Sequence, residues 1–189
     1  MRIDHVIWKA TELDDAAARV AREYGLTDAG GGRHVGIGTH NRVFPLGGGY
    51  LEVLAVADPE EAAASSLGSA IAAAPEGLFA WAVATDDVPG HAQRLGLEVT
   101  AIERDGLTAR LAGVAEAMAE PALPFFIQRD LGIADPGSSG DAGGIAWIEL
   151  AADADRLDDW LGGAQLPLRL ADGAPGPKAI GLGSGAVIR

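Results

Sequence analysis

Cysteine is absent from the 189 residues, which removes disulfides, thiolate metal ligands and cysteine nucleophiles together. Basic residues are scarce: 14 Lys and Arg stand against 27 Asp and Glu, for a formal net charge of -13. Such a surface disfavours nucleic acid and anionic membranes, because neutralising phosphate needs clustered Lys and Arg. No apolar stretch approaches the roughly 20 residues of a membrane span. No basic stretch followed by an apolar run opens the chain, so a cytoplasmic location is expected. Ser65-Ser66 and Ser138-Ser139 lack a Gly-x-Ser-x-Gly elbow, which leaves a serine hydrolase without support. Gly30-Gly31-Gly32 and Gly47-Gly48-Gly49 do not follow the strand–GxGxxG–helix pattern of a phosphate cradle.

What is present is an ordinary globular composition, 48% hydrophobic and 22% charged, with room for one domain or two small modules sharing a core. Internal repetition organises it. Ala80-Trp81 matches Ala146-Trp147, and Asp87 and Leu95-Gly96 then match Asp153 and Leu161-Gly162 at the same offset. Three units opening strand-then-helix are expected near residues 2, 78 and 144, with Trp81 and Trp147 as core anchors. Thr11 with Asp14 reads as an N-cap and capping-box acid, and Gly25 as the stop. Asp58-Pro59-Glu60-Glu61 opens a connecting helix whose Ala-rich body runs towards Pro75. The run 135–144, rich in Gly and Ser, reads as a link. Beyond it, strands are expected near 166–171, 177–182 and 185–189.

Two polar side chains stand where buried strands normally carry aliphatics. In Arg2-Ile3-Asp4-His5-Val6-Ile7-Trp8, alternation groups Ile3, His5 and Ile7; in Tyr50-Leu51-Glu52-Val53-Leu54, it groups Tyr50, Glu52 and Leu54. A histidine and a glutamate on apolar strand faces cost free energy unless each has a partner. A core histidine bonded to a backbone carbonyl is the ordinary reading; a shared metal or a substrate is the sharper one. A neutral imidazole with a carboxylate suits Zn, Mn, Fe, Ni or Co without selecting among them. His40-Asn41-Arg42 lies in a Gly-flanked strand pair and reads either as a solvated hairpin or as cleft lining. In the second reading His40 is a general base and Arg42 holds a carboxylate or enolate.

The stretches DHVIW at 4–8, GTHNRVFPLGGGYLEVLAV at 38–56 and LPFFIQRD at 123–130 resemble the glyoxalase-like domain of the vicinal oxygen chelate superfamily. The resemblance implies an α+β fold of paired βαβββ modules forming a cleft, with a third partial module at the C-terminus. It divides the chain into a first module at 1–57, a connecting helix at 58–77, a second module at 78–133, a linker at 134–143 and the third module at 144–189. It implies a divalent metal held by His5, Glu52 and Gln128 with water. The second-module position matching His5 is Phe79 or Ala80, neither of which can bind a metal. Glu52 and His40 are the expected catalytic groups, and Asn41, Arg42 and Phe126 the expected substrate contacts. The implied activity is glyoxalase-like lyase or isomerase chemistry on a small molecule, metal-assisted where a metal is bound. The alternative is a metal-free sequestering protein of the same fold. A homodimer fits either one.

Overall fold

The computed structural model describes residues 1–104, 107–130 and 132–189. The chain begins with β1 (Arg2–Lys9), α1 (Leu13–Tyr24), β2 (Arg33–His34), β3 (Thr39–Pro45), β4 (Tyr50–Val56), α2 (Pro59–Ala63) and α3 (Ser66–Ala73). It continues through β5 (Gly77–Ala84), α4 (Val88–Leu95), β6 (Val99–Arg104), β7 (Leu107–Ala112), α5 (Val114–Ala119) and β8 (Phe125–Arg129). The last part holds β9 (Ile145–Ala151), α6 (Ala154–Leu161), β10 (Leu168–Leu170), β11 (Gly176–Leu182) and β12 (Val187–Ile188). A strand followed by a helix therefore opens each of three units, in an α+β architecture.

The first two units share one curled eight-stranded sheet in the order β2-β3-β4-β1-β5-β8-β7-β6. At its centre β1 runs parallel to β4 and antiparallel to β5, and β5 runs parallel to β8. The third unit forms a four-stranded sheet, β10-β9-β11-β12. Among the described residues no helix is long and apolar enough to cross a membrane.

Helix punctuation follows local chemistry. Asp87 and Asp153 cap α4 and α6 by accepting from Gly90 N and Arg156 N, and α1, α4 and α6 each stop at a left-handed glycine, Gly25, Gly96 and Gly162. The start of α1 differs from expectation: Glu12 is its N-cap and makes no side-chain cap bond, while the Thr11 N–H donates to Glu76 Oε1 at 2.7 Å. Asp58 caps α2 as its Asp-Pro signal predicts. The Ala-rich body then breaks, because Ser65 caps a second helix through Gly68 N.

Two apolar cores lie on opposite faces of the large sheet. The larger joins Val6, Trp8, Val53, Trp81, Val83 and Phe126 to α1, α4, α6 and the inner side of the small sheet. Each fully buried large side chain there contributes about 1.5–3 kcal/mol. Trp81 and Trp160 also satisfy their indole N–H groups on Ala122 O and Pro124 O, at 3.2 and 2.8 Å. The smaller core sets Ile7, Leu54, Phe79, Phe125 and Ile127 against Ile71 of α3 and Ala117 of α5. Trp147 departs from its expected role as an anchor. It is half-buried, lies flat over Gly181 and carries the Arg169 guanidinium 3.8 Å from its ring centroid.

The run expected as a linker is instead stitched down. Gly47 N donates to Ser139 O at 2.6 Å, Gly48 N to Gly137 O at 2.9 Å, and Gly144 N to Leu46 O at 2.7 Å. A Cβ on Gly137 would fall 2.4 Å from the Gly49 backbone, so only glycine permits this approach.

Candidate active site

The polar cluster of the molecule forms where β1, β3, β4 and β8 turn side chains to the face that carries the smaller core. Its first determinant is a bulge. Ile3 pairs with Val83 and His5 with Ala82, so Asp4 and His5 together oppose a single step of β5. A bulge interrupts alternation. Ile3 joins the larger core, whereas Asp4 and His5 turn to the same side, with Asp4 Oδ2 2.7 Å from His5 Nδ1. Strict alternation from His5 would have placed the Asp4 carboxylate on the opposite face.

Asp4 is fully buried and His5 3% exposed. A carboxylate so deep survives only with partners. Arg129 supplies a two-pronged one, Nη1 to Oδ1 at 2.6 Å and Nη2 to Oδ2 at 2.8 Å. Burial pushes the Asp4 carboxyl up, but the Arg129 guanidinium and His5 together outweigh it and hold Asp4 well below the usual carboxylate range. Burial likewise opposes the charge on Arg129, and Asp4 more than compensates, so the guanidinium pKa rises.

On the far side of the imidazole, His5 Nε2 lies 3.8 Å from Glu52 Oε2. Glu52 is 8% exposed, and its Oε1 accepts from Asn41 Nδ2 at 2.6 Å. Asn41 is oriented in turn by accepting the Gly32 N–H on Oδ1 at 2.8 Å. Tyr50 stacks on the His5 ring at 4.5 Å and Phe125 meets it edge-on at 5.4 Å. Burial, then Glu52 and Asp4, push the Tyr50 phenol well above its ordinary value, so it stays neutral. The result is a chain of contacts, Arg129–Asp4–His5–Glu52–Asn41, in which Arg129 and Asn41 donate to the two carboxylates and the imidazole lies between them. An ionised Asp4 can only accept, which makes His5 Nδ1 the donor and leaves the Nε2 lone pair facing a carboxylate.

The expected site residues separate. His5, Glu52 and Asn41 come together. His40 and Arg42 alternate away: Asn41 pairs with Leu54 across β3–β4, so its neighbours point to the α1 side. His40 lines a depression there with Thr11 and Asp15, and Arg42 pairs with Asp14 at 2.8 Å. Phe126 also lies on the opposite face, within the larger core, stacked on His91 at 4.8 Å and on Trp160 at 5.9 Å. Gln128 shares that face and closes the start of α4, accepting from Val88 N at 3.2 Å and donating to Asp86 O at 2.8 Å. The register explains this: His5 opposes Ala82, and Ala82 opposes Phe125, so Phe125, Ile127 and Arg129 share the His5 face and Gln128 does not. Asp4, Arg129 and Tyr50 complete the cluster. The signal for Arg129 is alternation counted from Phe125 rather than from Phe126.

A divalent metal does not fit this donor set. His5 Nε2 and Glu52 Oε2 are two ligands, the third is turned away, and the second half of the face offers Phe79, Phe125 and Ile127. Among the described residues no group of three His, Cys, Asp or Glu side chains is placed to hold one, against the three or four protein ligands usual for zinc.

Known proteins place this arrangement in a family. No curated protein matches the chain significantly. Among solved structures, a Streptomyces coelicolor methylmalonyl-CoA epimerase in complex with 2-nitronate-propionyl-CoA superposes with TM-score 0.53 at 17% identity, over 70% of this chain and 99% of its own. A Mycobacterium tuberculosis methylmalonyl-CoA epimerase gives 0.51 at 13% identity, over 68% and 86%. A hypothetical protein from Staphylococcus aureus gives 0.67 at 16% identity, over 98% and 97%, so its likeness takes in nearly the whole chain. At these identities the likeness is one of fold. The glyoxalase-like domain itself matches residues 3–164, and with the bulged first strand, the two paired units and the shared curled sheet, this chain belongs to the glyoxalase-like domain family of the vicinal oxygen chelate fold.

Proposed function

We propose that the protein is a small-molecule isomerase or lyase that moves a proton at a carbon next to a carbonyl, with Glu52 and His5 as the acid–base pair. The observation that carries this reading is the buried His5–Glu52 couple, 3.8 Å apart and oriented from both ends. Glu52 takes the proton from the substrate carbon, the electron pair moves onto the carbonyl oxygen, and the proton returns from the couple to a neighbouring atom. Both groups act from one side. Flanking a carbon for inversion needs an acid and a base about 6 Å apart, twice the reach of a proton-transferring contact, and 3.8 Å is too close for that. The couple therefore suits a one-sided proton shift rather than epimerisation. A depression of about 470 Å³ lined by Arg2, Thr85, Asp86, Ile127, Arg129 and Asp130 reaches the chain of contacts at Arg129, on the Asp4 side of the imidazole.

The test is deuterium exchange. The protein is incubated in D2O with a panel of acyl-CoA thioesters, 2-hydroxy ketones and 2-oxo acids, and label at the carbon next to the carbonyl is followed by NMR. Wild type should catalyse exchange on one class, and Glu52→Gln should lose it by about 100-fold or more. Exchange that is absent across the panel, or that survives Glu52→Gln, overturns the proposal. A metal-free binding protein is the second reading, favoured by the apolar second half of the face, Phe79, Phe125 and Ile127. Saturable binding of a panel member without exchange would select it.

A further inference from the structure

We infer that Asp4, clamped by Arg129, is a positioning residue: it places the proton of neutral His5 on Nδ1 and so aims the Nε2 lone pair at Glu52. This rests on reading His5 and Glu52 as the acid–base pair. In water the free imidazole carries its neutral-form proton on either nitrogen, and the choice is made by whatever the other nitrogen meets. Here one nitrogen meets a carboxylate with no proton to give, because both its oxygens already accept from the Arg129 fork. The 2.7 Å contact is then a charge-assisted bond with His5 as donor. A ring flip would exchange the two nitrogens, and Tyr50 on the ring face with Phe125 at its edge obstructs it.

Arg129 acts through Asp4 and touches no part of the couple itself. Its guanidinium lies beyond the carboxylate, with both Nη atoms on it and Nη2 also reaching the Tyr50 hydroxyl at 3.5 Å. Without the fork, a fully buried Asp4 carboxyl has reason to take up a proton, and a protonated carboxyl can donate to Nδ1. The imidazole proton would then move to Nε2, where the lone pair had been, and Glu52 would face a donor instead of a base. The two-residue clamp is thus a selector of tautomer, set by a β-bulge and reaching across the sheet to β8.

Ring ¹⁵N shifts report the tautomer directly, and the chain has only 4 His to assign. Two-bond ¹H–¹⁵N spectra are recorded on uniformly ¹⁵N-labelled protein at mildly alkaline pH. Wild-type His5 should show a pyrrole-type Nδ1 and a pyridine-type Nε2. Asp4→Asn and Arg129→Gln should shift the pattern towards a protonated Nε2, and Arg129→Lys, which keeps the charge, should restore part of it. Exchange catalysis should fall by about 100-fold in Asp4→Asn, through kcat more than KM. A wild-type His5 protonated on Nε2, or an Asp4→Asn spectrum identical to wild type, overturns the inference. Should Asp4→Asn fail to fold, the wild-type spectrum and Arg129→Lys still decide. If no substrate exchanges, the acid–base reading fails and the spectra still settle the tautomer. If Glu52-dependent exchange persists with the wrong tautomer, only the inference falls.

Discussion

Asp4 and His5 are neighbours in sequence, yet their side chains meet on one side of the sheet, 2.7 Å apart. A bulge in β1 makes this arrangement, and it places a fully buried carboxylate beside the imidazole that the candidate chemistry uses. Asp4 can be ionised there only because Arg129, from the other half of the large sheet, meets it with both Nη atoms.

Removing that partner should be costly. Arg129→Met leaves the Asp4 carboxylate buried without its fork and should lower unfolding free energy by about 3–5 kcal/mol in urea denaturation at neutral pH. The pH dependence follows from the sign of the shift. Asp4 is depressed in the folded state, so its contribution is complete above the unfolded carboxyl value of about 3.9 and is lost as pH falls through the folded value. The variant's buried, unpaired carboxyl takes up a proton at higher pH than the wild type's, so the gap should narrow progressively as pH falls and close in strong acid. A gap that widens on acidification would contradict this account of Asp4.

Asn41 offers an isosteric probe of Glu52. Asn41→Asp replaces the Nδ2 donor with a carboxylate oxygen against Glu52 Oε1, where the bond is now 2.6 Å. Two carboxylates in one buried site cannot both ionise without cost. The variant should be destabilised at neutral pH by about 2 kcal/mol and recover relative to wild type as pH falls and one of the pair takes up a proton. Equal loss at pH 7 and pH 5 would mean that repulsion is not the cause.

Gln128 was expected as a metal ligand, and its bonds to Val88 N and Asp86 O assign it a different task. Gln128→Glu sets an acceptor against the Asp86 carbonyl and should cost about 1 kcal/mol of stability. Titration calorimetry with Zn, Mn, Ni and Co should show no gain in metal affinity. A clear gain would return Gln128 to the His5–Glu52 site.

Gly181 can be tested without touching the candidate site. A Cβ there would lie 2.0 Å from Trp147 Cε2, so Gly181→Ala must lift the indole or shift the sheet, at about 1–3 kcal/mol. Trp147→Ala should relieve most of that loss in the double variant. Additive losses would show that the two residues do not press on one another.

Much of the fold is legible along the chain. The repeated Trp register and the Asp-to-Gly helix punctuation mark the strand–helix starts, and the first-strand histidine with the later strand glutamate marks two residues that the fold brings within 3.8 Å. The misplaced residues share one physical cause. Alternation says which residues of a strand share a face, and it cannot say which of two faces is the important one; that depends on register between strands. Gln128 and Phe126 are grouped together correctly and turn to the helix side. In His40-Asn41-Arg42 the same rule, applied strictly, allows only the middle residue or the outer two to join Glu52. Asp4 is the reverse case: a bulge suspends alternation, and nothing in Ile3-Asp4-His5 announces it.

The glycine seam between residues 47–49 and 137–144 has a consequence for engineering. By composition, the Gly- and Ser-rich run is where a tag, a circular-permutation break or a fused domain would be inserted. Its backbone instead lies against a turn whose last residue, Gly49, has no room for a Cβ: one would fall 2.8 Å from the Asp4 carbonyl. An insertion at Ser138 or Ser139 would pry that turn away from the bulged strand and loosen the Asp4 carboxylate at a distance. The exposed turn between β10 and β11, at Asp172 and Gly173, where a Cβ on Gly173 would meet only the Lys178 side chain at 3.9 Å, is the better place to open the chain.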